Sequence, residues 1–241
     1  METLNDILGY KNRKIYQNDQ FFSFSLDSVI LANFAGIRYS DKKILDLGTG
    51  NGIIPLILSL KTKEKIIGVE IQEKLAQMAL KSVCYNNLKN QITIINCDMK
   101  EYVCSDNINT FDFITCNPPY FELNDNSNIN LSLEKAIARH EIKIKLDEII
   151  VIASRLLKSN GKLAMVHRTD RLFEVVNLFR KNKIEPKRIR FIYDNNLKEA
   201  SLFFIEGLKN GKTGLTIEKP MILYNSDGSM TNEYRRILEE V

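Results

Sequence analysis

The chain has 241 residues, 44% hydrophobic and 27% charged, with 11 Gly and 5 Pro, which excludes collagen-like, disordered and disulfide-stapled classes and fits one globular domain with a short appendage. Lys plus Arg total 34 against 30 for Asp plus Glu, a net charge of +4, compatible with a polyanionic partner without demanding one. Four cysteines without a CxxC pair and two histidines leave no zinc site or disulfide framework, so no metal and a reducing cytosol are expected.

Glu2 and Asp6 interrupt the first ten residues, and no window approaches the roughly 18 uncharged residues of a spanning helix. A soluble, cytoplasmic monomer with no membrane association is the expectation. Residues 1–40 read as an N-terminal cap: Phe21, Phe22 and Phe24 precede a helix over Leu26 to Ala35, with Asp27 or Ser28 as its N-cap.

From residue 43, within a single domain spanning 41–241, short apolar runs alternate with amphipathic ones, the pattern of a mostly parallel α/β sheet with helices on both faces. Seven strands are predicted, over Lys43 to Leu47, Lys65 to Ile71, Ile92 to Asn96, Phe111 to Cys116, Lys162 to His167, Arg188 to Tyr193 and Leu202 to Gly207. Helical spacing covers Ile53 to Leu60, Gln72 to Asn87, Leu146 to Lys158 and Asp170 to Lys181. Phe121 to Glu141 breaks the rhythm as an Asn/Asp-rich loop after a strand end, where open α/β sheets bind substrates.

The first strand of the domain runs into Asp46-Leu47-Gly48-Thr49-Gly50-Asn51-Gly52. Gly48, Gly50 and Gly52 suit a tight strand-to-helix turn that a ligand can approach closely. The GxGxG spacing is neither a dinucleotide fingerprint nor a P-loop. Glu70 ends the next strand, where a carboxylate can take both hydroxyls of a ribose. Asp98 follows the third strand end and could hold an adenine amine with Met99 packed on the ring, or Asp98 could simply cap a turn. The fourth strand ends in Asn117-Pro118-Pro119-Tyr120. There the prolines stiffen the backbone so that the Asn117 amide oxygen and the Pro118 carbonyl can accept both hydrogens of a planar amine, with Tyr120 stacked on its ring.

Together, Asp46 to Gly52, Glu70, Asp98 and Asn117 to Tyr120 resemble a class I S-adenosylmethionine-dependent, Rossmann-like methyltransferase of the amino-group type. The resemblance implies a seven-stranded sheet with an antiparallel last hairpin and S-adenosyl-L-methionine as cofactor. It places Gly48, Gly50 and Gly52 beneath the methionine part, Glu70 at the ribose and Asp98 at the adenine. Gln20 to Leu31, Ala138-Arg139-His140-Glu141 and Pro186-Lys187-Arg188 are similar to the bacterial tRNA (adenine-N6) methyltransferases, which modify the adenine 3′ of the anticodon in a valine tRNA. That likeness implies a tRNA substrate and sets Phe24 and Asp27 over the cofactor pocket, although Asp27 could equally be only a helix cap. The tetrapeptide is shared with enzymes acting on ribosomal guanine N2 and on protein glutamine, and a non-catalytic nucleoside- or RNA-binding module is the rival from another class.

Phe121, Arg139, His140, His167, Lys187 and Arg188 complete the candidate substrate contacts. Phe121 could instead fill the core, Arg139 and His140 could anchor the substrate loop, and His167 could merely end its strand. Methylation of an amine needs no strong base before attack, so His140 is not assigned as one. Cys116 should alternate to the face opposite Asn117, leaving no thiolate for carbon methylation.

Overall fold

The computed structural model describes residues 2–7, 10–18, 26–118 and 144–239. After an N-terminal hairpin, β1 (Glu2–Ile7) and β2 (Tyr10–Asn18), come α1 (Leu26–Phe34), β3 (Lys43–Leu47), α2 (Ile53–Lys61), β4 (Lys65–Glu70), α3 (Glu73–Tyr85), β5 (Ile92–Asn96) and β6 (Phe111–Cys116). The chain continues through α4 (Leu146–Leu156), β7 (Leu157–Arg168), a 3-10 turn (Thr169–Arg171), α5 (Leu172–Lys181), β8 (Ile184–Tyr193), β9 (Ala200–Lys209), β10 (Thr216–Ile217), β11 (Met221–Ile222) and α6 (Asn232–Glu239).

The main sheet has nine strands in the order β10-β8-β9-β7-β6-β3-β4-β5, with β11 also paired to β8. All seven predicted strands are present, and only β9 runs antiparallel, between β7 and β8. The expected count of seven is corrected to nine by β10 and β11, two-residue strands parallel to the outer edge of β8; two residues are too few to carry a period of two. A second difference lies at β7. The sequence spacing suggests a helix to Lys158 and a strand from Lys162, whereas β7 begins at Leu157 and its pairing shifts register between Phe111 and Phe113 of β6, with Asn160 at φ 62°. This bulge accommodates the extra residues in one strand.

Alternation along the strands divides the core. On one face Ile44, Ile66, Ile94, Phe113, Ala164 and Phe204 pack with α1, α2 and α3. On the other Leu45, Leu47, Ile114, Cys116, Leu163 and Met165 pack with α4 and α5. The hairpin, unforeseen in a polar stretch, contributes Ile7, Tyr10 and Ile15 to the first layer. Side chains cover its outer edge: Asn86 accepts from the Lys14 N–H at 2.9 Å, Ser82 Oγ from the Tyr16 N–H at 2.9 Å, and Asn51 donates to the Tyr16 carbonyl at 3.3 Å. An edge strand closed in this way offers no ladder to another chain.

Cations pin α1 at its C-terminus. Lys61 Nζ donates to the carbonyls of Ala32 and Asn33, each at 2.7 Å. The Arg188 guanidinium donates to the Phe34 carbonyl and lies 4.1 Å from the Phe34 ring centroid. These carbonyls have no partner inside the helix, and positive charge there also suits the helix dipole. Burial, followed by the neighbouring Arg188 charge, lowers Lys61 to about 8. Glu206, 5% exposed, is the counter-charge: it meets Lys162 Nζ at 3.0 Å and Arg188 Nη2 at 3.5 Å, and accepts the Gly36 N–H at 3.0 Å. Removing one member of a buried ion pair leaves the others uncompensated. Glu206→Ala should therefore cost about 3 kcal/mol of unfolding free energy, read by urea denaturation, and a loss below about 1 kcal/mol would contradict this role.

Candidate functional site

The parallel strands β3, β4, β5 and β6 lie side by side, so their carboxyl ends bring Gly48 to Gly52, Glu70, Asp98 and Asn117 to one edge of the sheet. Gly48, Gly50 and Gly52 have φ of +70°, +57° and +88°, the left-handed region that strains other residues. A Cβ at Gly50 would meet nothing within 4 Å, whereas one at Gly52 would lie 3.2 Å from Ala79 Cβ. Gly52 thus lets α2 approach α3, and the space above Gly50 is open. Glu70 clamps this turn to the next one, with Oε2 accepting the Gly50 N–H and Oε1 the Gln72 N–H, both at 2.9 Å. Burial pushes its carboxyl up against those backbone bonds. A carboxylate has about four acceptor positions, so capacity remains for further donors.

Asp46 is fully buried, and its Oδ1 accepts the Thr115 hydroxyl from β6 at 2.7 Å. Three buried side-chain polar atoms among the described residues lack a hydrogen bond: Asp46 Oδ2, Thr49 Oγ1 and Arg188 Nε. The last faces Glu218 at 3.2 Å as an ion pair, so the unmet capacity concentrates at the glycine turn. The Thr49 hydroxyl acts on the Asp46 carboxylate without closing a full hydrogen bond to it, so beneath an open glycine backbone the pair fits a ligand that brings an ammonium or another strong donor. Thr115, Thr49 and Gly68 were not singled out from sequence. Gly68 pairs with Asp46 in register, and a Cβ there would lie 2.8 Å from Thr49 Oγ1 and 3.0 Å from Ile94 Cδ1; its signal is a glycine inside an otherwise β-branched strand.

Asp98 Oδ1 accepts the Lys100 N–H at 2.8 Å, so Asp98 does cap its turn, while its position after β5 also borders the site. Met99 Cε is 4.0 Å from where a Gly48 Cβ would stand. On β6, Cys116 is buried in the α4 and α5 layer, and burial pushes its thiol up. Asn117, the next residue, reaches the opposite layer, where its Nδ2 donates to Ser28 Oγ on α1 at 2.9 Å. Pro118 is buried beside it. Asp27 lies in the first turn of α1, close enough for its charge to help raise the Tyr234 phenol of α6, after burial and the Tyr224 hydrogen bond.

Three proposed substrate contacts are placed differently from one another. His167 is the penultimate residue of β7, next to β6, and by alternation shares its face with Met165, on the layer away from Asn117. It is buried, its Nδ1 accepts the Arg168 N–H at 2.9 Å, and burial followed by the Arg171 charge lowers its pKa. The Arg188 guanidinium is held by Phe34, Glu206 and Glu218. Lys187 donates to the carbonyls of Lys212 and Gly214. Both lie on β8, three strands from β6, or roughly 14 Å, because β9 and β7 intervene. Phe24, Tyr120, Phe121, Arg139 and His140 lie outside the described residues. Among the described residues no cluster of His, Cys, Asp or Glu suits a metal ion, and no helix is long and apolar enough to cross a membrane.

A family model described as a methyltransferase domain matches residues 39–239, and the chain belongs to that family, as the motif pattern led one to expect. It is 26% identical over 197 residues to the tRNA1(Val) (adenine(37)-N6)-methyltransferase of Cytophaga hutchinsonii, covering 80% of each chain. To the protein of the same name from Porphyromonas gingivalis it is 30% identical over 173 residues, 69% of this chain and 67% of that one. Among solved structures, a predicted O-methyltransferase from Agrobacterium tumefaciens matches with a TM-score of 0.69 at 17% identity, over 89% of this chain and 97% of that one, a likeness of fold.

Burial raises Asp46 to about 7, with the Thr115 and Thr49 hydroxyls opposing and the Glu70 charge adding. Between the ordinary carboxylate value of about 4 and about 7, the folded chain keeps a proton that the unfolded chain has released. The contribution of Asp46 to stability is therefore present at acid pH and lost as pH rises through about 7. Unfolding free energy measured from pH 5 to 7.5 should fall less steeply in Asp46→Asn than in the parent; equal slopes would contradict the raised value. Gly68→Ala should destabilise by about 1–3 kcal/mol, because the new methyl displaces Thr49, and a melt unchanged from the parent would show that the turn yields freely.

Proposed function

We propose that the chain is an S-adenosyl-L-methionine-dependent methyltransferase acting on the exocyclic N6 of an adenine in tRNA, the base 3′ of the anticodon of a valine tRNA. The observation that carries this is Asn117 at the end of β6, its amide tethered through Nδ2, on the same sheet edge as the open glycine turn and Glu70. The likeness to proteins named for adenine-37 N6 methylation supports the choice of base and RNA.

In this reading Asp46, with Gly48, Gly50 and Gly52, holds the methionine end of the cofactor. Glu70 takes the ribose hydroxyls, Asp98 the adenine amine, and Met99 packs on that ring. When bound, the cofactor supplies an electrophilic methyl group. Asn117 Oδ1 and the Pro118 carbonyl accept the two hydrogens of the target amine, drawing electron density onto its nitrogen and aiming the lone pair at the methyl. Tyr120 stacks on the target base and offsets part of the few kcal/mol needed to unstack it from the anticodon loop. The nitrogen becomes cationic as it gains the methyl and then sheds a proton to water, so neither His140 nor a buried His167 is required as a base. Phe24 and Asp27 border the cofactor, and Phe121, Arg139 and His140 form the RNA side. The protein works as a cytoplasmic monomer.

Replacing Asn117 by Ala should lower kcat on unmodified tRNA by about 10² to 10³, the usual effect of losing one oriented transition-state hydrogen bond, with cofactor affinity within about three-fold of the parent. Single-turnover methylation measures it, and near-parental turnover would sink the mechanism.

A further inference from the structure

We infer that Ser28 is a positioning residue for the methyl-accepting step: its hydroxyl holds the amino end of the Asn117 side chain, so that the oxygen end is presented to the target amine. The inference rests on the role proposed above for Asn117. A side-chain amide has two chemically different ends. Donor and acceptor ends differ by a half-turn about a torsion that is broad and roughly two-fold for asparagine. The backbone does little to choose between them, because the rigidity of Pro118 fixes the chain that follows but not this last side-chain torsion. An amide turned the wrong way would present its NH₂ to another NH₂, two donors facing each other.

The structure supplies a fixed partner for one end. Asn117 Nδ2 lies 2.9 Å from Ser28 Oγ, a contact between residues 89 apart in sequence. Ser28 is 7% exposed, in a stretch of helix buried all round, where Val29, Ile30, Leu31 and Ala32 are also buried. A hydroxyl buried in such surroundings is costly without hydrogen bonds, so packing alone does not account for a serine here. The helix that carries it is fixed in turn: Lys61 and Arg188 hold its last carbonyls, and it packs on α2 and β7. The Ser28 oxygen is therefore presented from a rigid element, as a group that must orient another needs to be.

The test uses the full chain, labelled S-adenosylmethionine and unmodified bulk tRNA. Ser28→Ala, and Ser28→Cys, which keeps the volume but weakens the acceptor, should each lower kcat roughly ten-fold, less than Asn117→Ala because the amide still samples the productive orientation. KM for tRNA and calorimetric affinity for S-adenosylhomocysteine should stay within about two-fold of the parent. Ser28→Thr, which keeps the hydroxyl, should restore most of the rate. The deciding measurement is the double variant: Ser28→Ala added to Asn117→Ala should cause no further loss, since one acts through the other. Parental kcat in Ser28→Cys beside a crippled Asn117→Ala would overturn the inference and leave the proposed function standing. Losses that add in the double variant would equally overturn it, by showing that Ser28 only supports the fold. Parental kcat in Asn117→Ala would bring down both.

Discussion

The site depends on one backbone reversal, the passage from β3 to α2 through three glycines at positive φ. It brings backbone N–H groups and open space above two buried carboxylates, Asp46 on its own strand and Glu70 on the next. Neither carboxylate would be stable at that depth without donors. Glu70 finds two in the turns that it joins, while Asp46 finds one in Thr115 and only a weak approach from Thr49, with no full hydrogen bond at its second oxygen. A ligand that brings donors completes an arrangement the chain leaves incomplete, which is how binding energy is stored in a preorganised pocket rather than consumed in forming it.

The second constraint is the way the first forty residues join the rest. They were expected as a cap, yet they are knitted in at both the cofactor turn and the acceptor motif: Tyr16 takes the Asn51 amide beside the glycines, and Ser28 takes the Asn117 amide. Two of the candidate substrate contacts also fasten the fold, with Arg188 holding α1 and Lys187 binding a neighbouring turn.

What could be read in advance follows from range. The seven central strands and their helices have periods of two and 3.6 residues written into local sequence, and the glycine turn, Glu70 and Asn117 declare themselves because strand ends in a parallel sheet share one edge. The hairpin was invisible because among its described residues only Ile7, Tyr10 and Ile15 are buried, and β2 is tied to the domain through the side chains of Ser82 and Asn86, far away in sequence. The Ser28–Asn117 contact and the Arg188–Glu206–Lys162 cluster were equally hidden, since each joins residues far apart in sequence through a tertiary arrangement that no local pattern encodes. Thr115 and Gly68 lay inside correctly predicted strands, but their meaning appears only in register with Asp46.

The central claim is the identity of the methyl acceptor. Purified protein with labelled S-adenosylmethionine would be incubated separately with unmodified bulk tRNA, ribosomal RNA and a protein extract, and the labelled product identified by mass spectrometry. The account predicts N6-methyladenosine in tRNA alone, at the position 3′ of a valine anticodon. Label in ribosomal guanine or in protein glutamine, or cofactor binding with no label in any of the three, would contradict it.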